Sequence, residues 1–192
     1  MSNLAYNYFD DVPDEMLDGE IVLMAPSPNI EHGDAGHNIT AIFKRYLKGK
    51  SCRAFGDNTD VFLTENDRVI PDAMIVCNKD IIKSKGIYGV PNLIVEILSP
   101  STAGRDRGYK KRLYERCGVK EYWIVDVSNR TIEVYLLIDG KYELDNIYTH
   151  YTNWWLEGMK EEDKAKLVYE FKTHLFDDMI IDVREVFEDI EI

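Results

Sequence analysis

The chain has 192 residues, 45% of them hydrophobic, 11% aromatic and 30% charged, which excludes a disordered segment and supplies enough apolar side chain for a sizeable core. Its formal net charge of −12 argues, taken alone, against a polyanion partner. No run approaches the ~20 apolar residues of a membrane span, and the acidic beginning lacks the basic-then-apolar pattern of a secretory signal. A cytoplasmic protein with no membrane partner is therefore expected.

A single domain over 1–192 is expected, because single domains often reach this length. It opens with an acidic lead over 1–18; residues 1–20 hold six acids and no base. Residues 20–25 then read as a strand, with a turn at Pro26 and Pro28. His32, Ala35, Ile39, Ile42, Phe43 and Tyr46 recur at helical spacing, giving one stripe closed by Gly49. Three short strands follow at 52–55, 60–63 and 69–76, with a hairpin-like turn over 65–68. A Gly-rich, Lys-bearing loop over 83–91 precedes a buried strand at 92–98.

Ser99, Pro100, Ser101 and Thr102 stop that strand and supply cap residues for a helix over 105–117, which Gly118 ends. Two more strands, 121–126 and 131–138, flank a turn. A strand at 142–148 is weaker in pattern, and an insertion is expected near 150–167, where Trp154 and Trp155 stand out. The tail from 179 to 187 reads as a short strand and a short helix, packed through Ile181, Val183, Val186 and Phe187. Strands bracketing two amphipathic helices make the class α/β or α+β, with a mixed central sheet flanked by helices. Strand order is not legible. Cys52, Cys77 and Cys117 are odd in number and in no CxxC spacing, so all three read as small apolar residues rather than a disulfide framework or a zinc site.

The acidity is uneven. Residues 35–56 carry five bases and no acid, and residues 104–120 carry seven bases against two acids. Two basic segments thus sit in an acidic chain, suited to phosphate contact or simply to solvated helix faces.

Two carboxylates sit in apolar runs, where an unpaired charge costs several kcal/mol. Asp72 interrupts 70–76 and Glu96 interrupts 93–98. Neighbouring strands that each offer one acid would hold a hard divalent cation, which removes their mutual repulsion. On the middle helix, Asp106, Lys110, Leu113, Tyr114 and Cys117 share one face, so Lys110 lies on the core-facing stripe. A lysine near two such acids can orient an attacking water or steady a phosphate. Each residue also has a plainer reading. Asp72 could be an acid that follows a proline, and Glu96 the partner of a buried base such as Lys110. Lys110 could pair with Asp106 on a solvated face, His32 could be a structural histidine, Glu20 a strand-edge acid, and Asp106 an acid favoured by the helix dipole.

The ordered motifs carry a resemblance. They are Val69, Ile70, Pro71 and Asp72; Val95 and Glu96 leading through Leu98 to Thr102; Asp106 to Lys110 with Tyr114, Gly118 and Val119; and Glu121 to Asp126. This run resembles the Uma-two family of restriction-endonuclease-like proteins, within the PD-(D/E)XK nuclease superfamily. The likeness covers roughly 18–139. It implies a restriction-endonuclease-like fold, with Asp72 and Glu96 as metal ligands and Glu20 as a helper acid at the metal or its water. Leu98 occupies the usual lysine position, and the resemblance implies that Lys110 on the following helix takes its place, with His32 adding a contact at the same opening.

The function so implied is a metal-dependent endonuclease that hydrolyses phosphodiester bonds in DNA with Mg²⁺ or Mn²⁺, as a homodimer, with Lys110 placing or deprotonating the water. The rival, favoured by the acidic balance, is a catalytically silent interaction or nucleic-acid-sensing module in which the same charges form a structural ion-pair network.

Overall fold

The computed structural model describes residues 14–23 and 29–190. The turn expected at 26–28 and the end of the strand before it lie outside the described residues, as does most of the acidic lead. The described residues open on a hairpin, β1 (Asp14–Leu17) and β2 (Glu20–Leu23). Its two-residue turn has Asp18 and Gly19 at φ of 54° and 81°, the pair of positive angles that matches the twist of the flanking strands. Four residues of mixed polarity gave β1 no signal in the sequence.

Helix α1 (Ile30–Leu47) begins at Asn29, whose side chain accepts the His32 N–H, and buries Ala35, Ile39, Ile42, Phe43 and Leu47. Short strands β3 (Arg53–Gly56), β4 (Val61–Phe62), β5 (Arg68–Val69) and β6 (Ala73–Val76) follow. The single strand expected over 69–76 is thus two, broken at Pro71, which has no N–H to give a ladder. The loop expected over 83–91 contains part of a small hairpin, β7 (Ile82–Lys83) and β8 (Gly86–Tyr88). Next come β9 (Leu93–Ile97), helix α2 over 103–117, β10 (Glu121–Asp126), β11 (Thr131–Ile138) and β12 (Lys141–Thr149). The chain closes with α3 (Asn153–Glu157), α4 (Glu161–Lys164), β13 (Glu170–Lys172), β14 (Ile180–Asp182) and α5 (Val183–Val186).

The central sheet has the order β12-β11-β10-β9-β6-β3. It is mixed, as expected: β9 and β10 run parallel and the other neighbours antiparallel. At β6, β9 and β10 both faces are buried, so the period-2 alternation of a strand sorts side chains between two cores. Leu93, Val95, Ile97 and Trp123 pack with α1 and the C-terminal segment, including Phe171, Val186 and Phe187. Met74, Ile94, Tyr122 and Ile124 pack with Leu113 and Tyr114 of α2 and with Leu17, Val61 and Val69 of the second sheet, ordered β2-β1-β5-β4-β8-β7.

The cysteine reading is corrected. Cys52 and Cys77 are joined in a disulfide that links the ends of β3 and β6, and Cys117 alone is a free, half-buried thiol. The β3–β6 register, Arg53 opposite Val76, brings the two cysteines together, and that pairing could not be read from their spacing.

Candidate active site at the β6–β9 junction

On β9 the alternation sends Leu93, Val95 and Ile97 toward α1, and Ile94 and Glu96 toward α2. Glu96 is only 3% exposed. The β6–β9 ladder pairs Ala73 with Val95, and one further step would set Asp72 across from Glu96. The backbone departs there, and the Asp72 side chain takes its place: Oδ2 accepts the Ile97 N–H at 2.6 Å. His32, in the first turn of α1, has Nε2 3.0 Å from the Ile97 carbonyl oxygen and 3.6 Å from Asp72 Oδ2. Their side chains retain 14% and 17% exposure, so this pair stands at the solvent edge of the cluster.

Lys110 closes the pocket from α2. The helix contains a π-helical turn at Asp106–Lys110, which buries both Asp106 and Lys110. Such turns widen a helix locally and recur at functional sites. The Tyr122 hydroxyl donates to the Asp106 carbonyl oxygen at 3.1 Å and fixes the turn to β10. The Lys110 ammonium meets Glu15 Oε1 at 2.8 Å, Glu96 Oε1 at 3.1 Å and Asp106 Oδ1 at 3.6 Å. The Tyr114 hydroxyl donates to the same Glu96 Oε1 at 2.5 Å. Lys110 and Tyr114 therefore grip one oxygen of Glu96 and leave the other uncommitted.

Of the predicted residues, Asp72, Glu96, Lys110 and His32 come together here. Glu20 does not join them: it is exposed on β2, opposite Leu17 beside the hairpin turn. The hairpin delivers Glu15 instead, 1% exposed, with Oε1 also accepting the Ile70 N–H at 3.1 Å and Oε2 3.7 Å from Arg105. Asp106 likewise belongs to the cluster and is no surface acid at a helix start; its Oδ1 is buried without a hydrogen-bond partner. Leu17 beyond Glu15 and the π-turn at Asp106 carry the placement, and neither is marked in the sequence.

The electrostatics follow from burial. Burial pushes Asp72 up to about 6, although His32, the Ile97 N–H and Lys110 pull the other way. It drives Glu96 well above the ordinary carboxylate range, opposed by Lys110 and reinforced by Asp106, Asp72 and Glu15. Asp106 is raised for the same reason. Burial alone would lower Lys110, but the Glu96, Glu15 and Asp106 carboxylates hold it above its usual value. The surrounding carboxylates thus favour the ammonium form of Lys110.

One buried ammonium among four carboxylates leaves an excess of hard oxygen donors. Among the described residues no group of three or more His, Cys, Asp or Glu closes on a single point, so there is no protein cage of the calcium type. Mg²⁺ and Mn²⁺ sites of the substrate-completed kind need only one or two carboxylates. Asp72 and Glu96 fit that need, and Asp106 Oδ1, which among the described residues has the Lys110 ammonium at 3.6 Å but no hydrogen bond, adds a further carboxylate to the cluster.

A sequence model of the Uma2 family, described as "Putative restriction endonuclease", matches residues 8–161. The chain belongs to this family. Among curated proteins, "Uncharacterized protein slr1290" of Synechocystis sp. (strain ATCC 27184 / PCC 6803 / Kazusa) is 28% identical over 123 residues, 63% of this chain. The match spans 64% of that relative's length. Among solved structures, a "putative nuclease belonging to DUF820" from Anabaena variabilis ATCC 29413 superposes with a TM-score of 0.60 at 15% identity, covering 91% of this chain and 89% of that one. The last likeness shows a shared fold. For this Uma2 chain it agrees with the mixed sheet and flanking helices expected from the sequence.

Proposed function

We propose that this protein is a metal-dependent endonuclease that hydrolyses phosphodiester bonds in DNA, acting as a homodimer. The observation that carries the reading is the junction itself: Asp72 from the residue before β6, Glu96 from β9 and the Lys110 ammonium from α2 in one cluster, with Asp72 at its solvent edge. Asp72 and Glu96 would hold the cation. A bound Mg²⁺ or Mn²⁺ supplies Lewis-acid polarisation of the phosphate and a lower pKa for water.

The chain's own residues do the rest. Lys110 donates to a phosphate oxygen, or places or deprotonates the attacking water. Tyr114 and Lys110 hold Glu96 Oε1, so the carboxylate presents its other oxygen. The Ile97 N–H holds Asp72 in place, with His32 Nε2 3.6 Å from the same Asp72 oxygen. In the overall reaction water adds to phosphorus, a P–O ester bond breaks, and the leaving oxygen takes up a proton.

The silent module has one observation in its favour: every partner of Lys110 is a carboxylate of the same pocket, a closed ion-pair network. The test separates the two. Supercoiled plasmid with Mn²⁺ should be nicked by the wild type and at least ~100-fold more slowly by Glu96→Ala and Lys110→Ala, the scale of losing a transition-state electrostatic contact. Calorimetry with Mn²⁺ should show a site that Asp72→Ala abolishes. Equal nicking by all three proteins, or no Mn²⁺ site in the wild type, sinks the enzyme reading.

A further inference from the structure

The amino-terminal hairpin buries a charge for which the fold has no evident need. On β1, Glu15 and Leu17 face inward while Asp14 and Met16 are only partly buried. Leu17 joins the apolar core, whereas Glu15 enters the same interior as a carboxylate. A buried ion pair is seldom more stable than apolar residues of similar volume, so stability alone does not account for it.

Its contacts do. Oε1 is 2.8 Å from the Lys110 ammonium, nearer than either Glu96 or Asp106, and the same oxygen accepts the Ile70 N–H two residues before Asp72. Oε2 faces Arg105 at 3.7 Å, just ahead of the π-turn. One side chain therefore ties the bend that carries Asp72 to the helical turn that carries Lys110. Without it the ammonium would keep only Glu96 and its neighbour one turn back, Asp106, and could swing between them.

We infer that Glu15 is a positioning residue that aims the Lys110 ammonium at the Glu96–Asp72 pocket, and that it is not a metal ligand. The activity arm of this inference rests on the nuclease reading; the spectroscopic arm does not. In ¹H–¹⁵N spectra of the wild type, Lys110 should give a slowly exchanging side-chain ammonium signal, assigned by its disappearance in Lys110→Arg. Glu15→Gln keeps an oxygen for the Ile70 N–H and removes the charge. Its ammonium exchange should quicken at least ~10-fold, and kcat should fall about 10- to 100-fold, the usual scale for a supporting partner, with KM and Mn²⁺ affinity unchanged.

Unaltered ammonium exchange in Glu15→Gln overturns the inference, and so does loss of Mn²⁺ binding, which would make Glu15 a ligand. If Glu15→Gln does not fold, Glu15→Asp, which keeps the charge but withdraws it by one methylene, must show the faster exchange, and an unchanged rate overturns the inference equally. A wild type without nuclease activity would refute the proposed function while leaving the ammonium measurement to decide this point.

Discussion

Asp72 is where the chemistry of single residues is most exposed to measurement. It sits at about 6 in the folded protein because burial disfavours its charged form, against about 3.9 in an unfolded chain. The folded state thus binds the proton more tightly. The associated stability is complete below about pH 4 and is lost as pH rises to about 6, a difference of roughly 3 kcal/mol. Asp72→Asn retains an acceptor for the Ile97 N–H and removes the titration. Urea unfolding from pH 4 to 6.5 should show the wild type losing stability relative to Asp72→Asn, and parallel curves would refute the assignment. Asp72 and Glu96 were legible because a charge inside an apolar run breaks the burial rule. Glu15 was not, because four residues with two acids look like surface.

Among the elements, β9 and α2 were readable from local signals: a run of apolar residues stopped by Ser99 and Pro100, and a stripe ended by Gly118, whose φ of 88° is the left-handed angle glycine tolerates. The π-turn inside α2 was not, since it is held from outside by the Tyr122 hydroxyl and by the Glu15 and Glu96 carboxylates on Lys110. The pairing of β3 with β6 was equally invisible, and with it the Cys52–Cys77 disulfide. Alkylation in denaturant without reductant should label Cys117 alone, and all three cysteines after reduction; three labelled thiols at the outset would remove the bond. Its reduction should cost about 3 kcal/mol for a span of 25 residues. Disulfides persist mainly in oxidising compartments, so this bond pulls against the expected cytoplasmic location. Among the described residues no helix is long and apolar enough to cross a membrane.

At the scale of the whole molecule, half of the bases in the two basic segments are held in ion pairs within the chain. Arg45 pairs with Glu185, Lys50 with Asp178, Arg107 with Glu133, and Arg116 with Asp67. Lys44, Lys48, Arg53, Arg112 and Lys120 remain exposed without an ion pair among the described residues. Five such cations on a chain of net charge −12 give one protomer little hold on a phosphate backbone, so the nuclease is proposed as a pair of protomers. Light scattering at assay concentration should give twice the 22.3 kDa chain mass, and a monomer at every concentration would refute the dimer. By itself the sequence determined the mixed α/β class, the strand bearing Glu96, the helix bearing Lys110 and the family likeness, because periodicity, caps and misplaced charges are local. Only the tertiary structure decided that Glu15 and not Glu20 enters the pocket, that Asp106 faces Lys110 inside it, and that two cysteines meet. Those outcomes depend on which distant strands pair and in what register, and contacts between elements far apart in the chain leave no mark on local spacing.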